Sequence, residues 1–402
     1  MFYRFITYAG LARRHNCFCS RGIACISDAV YFGGIINHNI SDARIYGSLL
    51  SWVGSDSGNG FFGRTCLVYA QGEHTAVSCR YRAEVLVQKQ VIALKVSTEY
   101  RPLFQNHYHG DNMNKKLSGY KQTRVAAIHD ISGFGRCSLT VALPIISAAG
   151  IECCVVPTAV LSTHTGGLDG FTYRDLTDDI LPFADHWQSL GLGFDAMYSG
   201  FLGSIRQVEL LSAFFDRFRT KDNLIMVDPV MADNGVLYKT FPGNFPLEMR
   251  RLCQKADLIV PNMTEAALLL NEPYREGPYT KDFIADTLKK LASLGSKLVV
   301  LTGVHLTNAE LGAAAYDSDT SKIDYSSAGR VPGFYHGTGD IFGSTLLAGL
   351  LNGYDLANAM EIAVDFVAES IRRTYVAGTD TRYGVNFEAG LGALAVCCNI
   401  MH

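Results

Sequence analysis

From residue 125 onward, short apolar runs alternate with longer segments of helical spacing. Runs at 125–128, 153–156, 197–199, 224–227, 258–260 and 298–301 are strand-sized and bounded by turn residues. Segments 139–149, 176–190 and 205–218 carry apolar residues three and four apart, which predicts helices. Ser138 is placed to cap the first of these and Gly150 to stop it. The glycines at 133 and 135 predict a turn over 130–135. Apolar helices are expected over 341–351 and over 356–375, the latter capped by Asp355. Strands that are apolar throughout, separated by amphipathic helices, are buried on both faces. The expected architecture is therefore a doubly wound α/β/α sandwich on a parallel sheet. Ligands of such folds sit beyond the carboxyl ends of the strands.

The residues just past each strand are therefore the candidates for chemistry. His129-Asp130 comes after the first run and Asp228-Pro229-Val230-Met231 after the run at 224–227. Pro261-Asn262-Met263-Thr264-Glu265 comes after 258–260, and Thr302-Gly303 after 298–301. Polar groups thus collect along one sheet edge. Gly337-Thr338-Gly339-Asp340 opens the helix at 341–351. Glycines there let a ligand approach the backbone, and the free amides and dipole of the helix start favour negative charge. A carboxylate in that first turn can take the proton of a hydroxyl attacking a phosphoryl group, or it can simply cap the helix. The chain has no Walker A loop, and Gly133-x-Gly135 lacks the third glycine of a dinucleotide fingerprint, because position 138 is Ser.

The first 112 residues differ in texture. They hold 11 Lys+Arg against 7 Asp+Glu, a net of +4, and the remainder carries the opposite balance, giving −3 for all 402 residues. They lack long helical periodicity, and a boundary is expected near Met113. Residues 1–112 are read as a poorly ordered extension or a mis-assigned start, and residues 113–402 as the functional domain. The four Arg and no acid in residues 1–27 loosely fit a presequence. His15-x-Cys17-x-Cys19 with Cys25 has no second half for a zinc site. The eleven cysteines are irregularly spaced, which favours reduced thiols and a cytoplasmic location. The near-neutral charge gives no reason to expect nucleic acid as a partner, and no uncharged apolar run is long enough to span a membrane.

Asp228-Pro229-Val230, Pro261-Asn262-x-x-Glu265 and Gly337-Thr338-Gly339-Asp340, in this order, resemble the ribokinase superfamily. Over residues 124–386 the chain is similar to the pyridoxal kinase family, with Ser199-Gly200-Phe201-Leu202-Gly203 and Ser162-x-His164-Thr165 as further matches. The resemblance implies a ribokinase-like three-layer α/β/α sandwich with a mostly parallel sheet. It also implies a homodimer and ATP-dependent phosphorylation of the 5′-hydroxymethyl group of vitamin B6. Asp340 would be the base, and the amides of Gly337, Thr338 and Gly339 would hold the transferring phosphoryl group. Asn262 and Glu265, with Asp228 behind them, would organise Mg2+ against ATP, and a monovalent cation is a further candidate. Thr302 and Gly303 would line the nucleotide pocket. Asp130, Ser132, Thr158, Val160, His164, Thr165 and Phe201 would hold the substrate ring. Many relatives carry Ser at the place of Asp130 and Tyr at the place of Phe201, so an acid at 130 could pair with a pyridine nitrogen or an amine. Cys137 could meet an aldehyde or be a small packed residue. His336 reads as loop, and Asp233-Asn234-Gly235 as a turn in a flap over the nucleotide. Two alternatives stand beside the B6 kinase: a hydroxymethylpyrimidine kinase, and a B6- or nucleotide-binding protein without catalysis.

Overall fold

The computed structural model describes residues 122–399, and the expectations for residues 1–112 lie outside them. The strands are β1 (Arg124–Phe134), β2 (Glu152–Thr163), β3 (Tyr173–Asp175), β4 (Ala196–Ser199), β5 (Leu224–Val227), β6 (Ala232–Asp233), β7 (Val236–Leu237), β8 (Leu258–Ile259), β9 (Leu298–Val304), β10 (Glu310–Asp317) and β11 (Lys322–Gly329). The helices are α1 (Leu139–Ala148), α2 (Ile180–Ser189), α3 (Ile205–Phe218), α4 (Phe245–Cys253), α5 (Met263–Leu270), α6 (Lys281–Ala292), α7 (Thr338–Leu351), α8 (Leu356–Ala377) and α9 (Leu391–Asn399).

Nine strands form one sheet in the order β11-β10-β9-β8-β5-β4-β1-β2-β3, and β6 and β7 form a separate hairpin. From β9 through β2 every pairing is parallel. The edges are antiparallel, with β3 on β2 and with β10 and β11 on β9. The central strands bury nearly every side chain, as strands covered on both faces must. On one face Ala126, Ile128, Met197 and Val227 pack with Ile180, Leu211, Phe214, Met249, Leu269 and Leu288 from α2 to α6. On the other, Val125, Tyr198, Met226 and Val300 pack with Ile145, Ile341, Leu346 and Ala363 from α1, α7 and α8. Each fully buried Leu, Ile, Phe or Met contributes about 1.5–3 kcal/mol relative to leaving it exposed.

Local chemistry fixes where several helices start. Ser204 accepts the Gln207 amide at the head of α3, Thr280 that of Phe283 before α6, and Asp355 that of Asn358 before α8. Asn262 and Glu265 form a reciprocal capping box on α5. Helix α7 lies close on the sheet because Gly343 faces Tyr198. A Cβ there would come within 2.5 Å of the Tyr198 hydroxyl.

Three local expectations are corrected. Residues 130–135 are not a free turn: β1 runs on to Phe134, paired with β2 after a bulge between His129 and Ile131. Thr302 and Gly303 lie inside β9, not after it, because β10 pairs with β9 as far as Val304. Ser138 precedes α1, but its side chain does not cap it.

Candidate active site

The carboxyl ends of β1, β4, β5 and β9 and the start of α7 bring most of the chemically interesting residues to one edge. Gly337 adopts φ 75°, a left-handed conformation that glycine takes without penalty. A Cβ on Gly337 would lie 1.8 Å from the Arg136 carbonyl oxygen, so the α7 turn and the loop before α1 touch backbone to backbone. The Ile341 amide bonds back to the Gly337 oxygen at 3.2 Å. The amides ahead of it belong to the unpaired first turn of the helix. Space beside Gly339 is open: a Cβ there would meet nothing within 4 Å.

Asp340 stands in that first turn with 14% of its side chain exposed. Burial raises its pKa from the ordinary carboxylate value to about 7. The Ser138 amide donates to it and opposes the shift, while the charge of Asp130 adds to it. A carboxylate with that pKa is divided between acid and base near neutral pH, which suits a group that receives a proton.

Ser138 joins two carboxylates. Its amide serves Asp340, and its hydroxyl donates to Asp130 at 2.6 Å. The backbone that allows both has φ 53° and ψ −136°, an unusual conformation for a residue with a Cβ. Such strain costs on the order of 1–3 kcal/mol and persists only where its surroundings enforce it. The Ser132 hydroxyl donates to the other Asp130 oxygen at 3.1 Å. Asp130 is buried, and its pKa is raised by desolvation against the pull of these two hydroxyls. Cys137 lies beside both acids. Burial pushes its thiol up, followed by the charges of Asp340 and Asp130, so it is a poor nucleophile here.

The other predicted ring contacts divide. Thr158 is buried, with its hydroxyl lacking a hydrogen-bond partner among the described residues. His164 is buried, and its Nδ1 accepts the Gly166 amide at 3.0 Å, so its Nε2 donates to the Arg382 carbonyl at 2.5 Å. His164 therefore ties the turn after β2 to the 380–384 loop. The ring of His336 lies 5.3 Å from that of His164, so His336 joins this closure. Phe201 is half-buried against Phe241. Val160 and Thr165 are exposed.

The metal and nucleotide residues also separate. The side-chain oxygen of Asn262 accepts the amides of Thr264 and Glu265 at 2.8 and 2.9 Å, and its nitrogen donates to the Ala232 oxygen at 2.9 Å. Glu265 is buried and accepts the amides of Asn262 at 2.8 Å and Met231 at 3.1 Å, and that of Ala232. Burial nevertheless raises its pKa to about 8. Both side chains thus brace the 228–232 segment against α5. Asp228 is different. It is buried, its carboxylate has no hydrogen-bond or ion-pair partner among the described residues, and its pKa is raised by desolvation, then by Glu265 and Asp340. A buried carboxylate without a counter-charge fits a cation. Among the described residues no group of three or more His, Cys, Asp or Glu is arranged to hold a metal by itself. Mg2+ tolerates this, because one or two carboxylates with waters and phosphates complete its shell. Thr302 bridges to Asn262, and Gly303 (φ 72°) leaves open space beside it.

Two residues of this edge have no role in the chemistry assigned from the sequence, His129 and Ser138. The signal for His129 is its place after an apolar strand. Ser138 reads locally as a helix cap.

A family model for phosphomethylpyrimidine kinase matches residues 143–385. A Bacteroides thetaiotaomicron protein described as a phosphomethylpyrimidine kinase, in a crystal form with pyridoxal, is 39% identical. The match covers 68% of this chain and 96% of that one, with a TM-score of 0.66. The pyridoxal kinase of Lactobacillus plantarum is 31% identical over 69% of this chain and 98% of its own, with a TM-score of 0.64. The pyridoxine kinase of Bacillus subtilis is 27% identical over 186 residues, 46% of this chain. That match spans 66% of the relative, just under two thirds of its length. The ribokinase-like α/β/α sandwich expected from the motifs is the fold found.

Proposed function

The chain belongs to the phosphomethylpyrimidine kinase family, and within it we propose that it transfers the γ-phosphoryl group of ATP to the 5′-hydroxymethyl group of B6 vitamers. The observation that carries phosphoryl transfer is Asp340, with a pKa of about 7, in the unpaired first turn of α7 beside the open space at Gly339. The substrate oxygen attacks the γ-phosphorus, the bond to the ADP oxygen breaks, and the hydroxyl proton passes to an Asp340 oxygen. The amides of Gly337, Thr338 and Gly339 and the helix dipole face the charge on the transferring group. One such donor is worth roughly 3 kcal/mol in comparable oxyanion sites. Asp228 would hold Mg2+, which neutralises phosphate charge when bound, while Asn262 and Glu265 keep the Asp228 segment in place. Thr302 and Gly303 border the nucleotide.

The pyridine reading is supported by the pyridoxal in the Bacteroides crystals and by Asp130. Two serine hydroxyls hold its carboxyl group in place, and on this reading its partner is a ring nitrogen or an amine. On the same side Thr158 keeps a buried hydroxyl without a partner among the described residues, while His164 holds the turn after β2 to the 380–384 loop. The family model favours a second reading, hydroxymethylpyrimidine as the acceptor. The working unit is proposed as residues 113–402, dimeric and cytoplasmic. No helix among the described residues is long and apolar enough to cross a membrane.

Coupled ADP release with Mg-ATP and pyridoxal, pyridoxine, pyridoxamine or hydroxymethylpyrimidine tests both readings. Turnover of the pyridines that collapses in Asp340→Ala is expected. Turnover of the pyrimidine alone would move the acceptor to the second reading. Binding of ATP without turnover of any acceptor would overturn both.

A further inference from the structure

Beneath Asp340 lies a histidine that the phosphoryl-transfer chemistry does not itself require. His129 is the residue of β1 at its bulge, on the sheet face covered by α7. It is fully buried, and neither ring nitrogen has a hydrogen-bond partner among the described residues. Leaving a buried polar group unpaired costs about 1–3 kcal/mol, so such a residue needs a reason. Its Nδ1 lies 3.9 Å from Asp340 Oδ1, its nearest charged atom. The ring packs edge-to-face with Tyr198, with centroids 4.4 Å apart and planes at 78°. Gly200 makes the room: a Cβ there would sit 2.1 Å from Nδ1. Burial holds the His129 pKa down to about 3, so the ring is neutral and offers one N–H. The separation is slightly beyond a hydrogen bond, and catalytic hydrogen bonds are often long before substrate binds.

We propose that His129 is a positioning residue for Asp340, donating its Nδ1 hydrogen to the carboxylate and aiming the opposite oxygen at the substrate hydroxyl. The proposal rests on the reading of Asp340 as the base. The neutral donor steadies Asp340 without a cation that would drain its basicity. Substrate and ATP touch neither nitrogen, because the ring is sealed under α7. Its effect therefore falls on the chemical step and not on binding.

The test compares His129→Leu, which keeps bulk and removes the donor, with His129→Asn, whose amide nitrogen occupies nearly the place of Nδ1. The assay is coupled ADP release from Mg-ATP with pyridoxal. His129→Leu should lower kcat about 10- to 100-fold, the scale of a misplaced catalytic group, with both KM values within about twofold. His129→Asn should recover most of that loss. An unchanged kcat in His129→Leu, equal losses in the two variants, or a loss confined to KM would each overturn the proposal. If His129→Leu does not fold by circular dichroism, His129→Asn is compared with His129→Gln, whose nitrogen reaches the Nε2 position instead. A higher kcat in the Asn variant supports the role, and equal values overturn it. Asp340→Ala runs alongside. If it keeps full turnover, the reading of Asp340 fails. If it abolishes turnover while His129→Leu does not, only the positioning role fails.

Discussion

The pKa of Asp340 makes a quantitative prediction about rate. Burial and the charge of Asp130 raise it to about 7, against the Ser138 amide. A base must be deprotonated to act, so kcat/KM should follow the ionised fraction. That fraction is about one-tenth at pH 6 and nine-tenths at pH 8, a rise of about tenfold across the interval. Saturating Mg-ATP, limiting pyridoxal and excess coupling enzymes at each pH give the profile. Asp130→Asn removes the neighbouring negative charge, lowers the Asp340 pKa and moves the acid limb to lower pH. Asp340→Asn should cost about 10²- to 10⁴-fold and leave the residual rate without this limb. A kcat/KM that stays flat from pH 6 to 8, or an acid limb that moves upward in Asp130→Asn, would refute the assignment.

Further expectations concern stability and the metal. Gly337→Ala should destabilise the fold by at least about 1–2 kcal/mol from its left-handed backbone alone, with added loss from the contact with Arg136. Gly339→Ala should leave the denaturant midpoint near wild type, because a Cβ there meets nothing, but lower kcat, because the proposed phosphoryl position lies in that free space. Equal destabilisation by the two would contradict this. Glu265, Asp228 and Asp340 all have raised folded-state pKa values, so between about pH 4 and 8 the folded protein holds protons that the unfolded chain has released. Stability should therefore fall as pH rises through that window. Denaturant midpoints at pH 5.5 and 8 check it, and a higher midpoint at pH 8 would contradict it. Asp228→Asn should flatten that slope and raise the Mg2+ concentration needed for half-maximal rate, read from magnesium titrations at fixed ATP.

The sequence is legible where local rules decide. The amphipathic period of α3 and the apolar run of β5 place both elements at their observed bounds, and Asp355 caps α8 as its position suggests. It is less legible where distant pairing overrides local signals. The glycines at 133 and 135 speak for a turn, yet pairing of 131–134 with β2 keeps that stretch extended. The small-residue strand β10 and its partner β11 have weak strand patterns and form by pairing onto β9. Ser138 looks like a helix cap in sequence. In the fold its hydroxyl is captured by Asp130, which lies at the bulge in β1. At the site, the motifs single out Asp340, Gly337 and Asp228 from residue chemistry and order. Pattern alone does not show that Glu265 also accepts the amides of Met231 and Ala232, or that His129 is sealed under α7. Both result from how α5 and α7 dock on the sheet edge.

The most direct test of phosphoryl transfer to a B6 alcohol is a single turnover with ATP labelled in its γ-phosphate. Enzyme in excess is mixed with pyridoxal, with or without the Asp340→Ala change, and the products are separated. Label in pyridoxal 5′-phosphate, lost in the variant, is the predicted result. Label only in inorganic phosphate, or only in a phosphorylated hydroxymethylpyrimidine supplied in parallel, would contradict it.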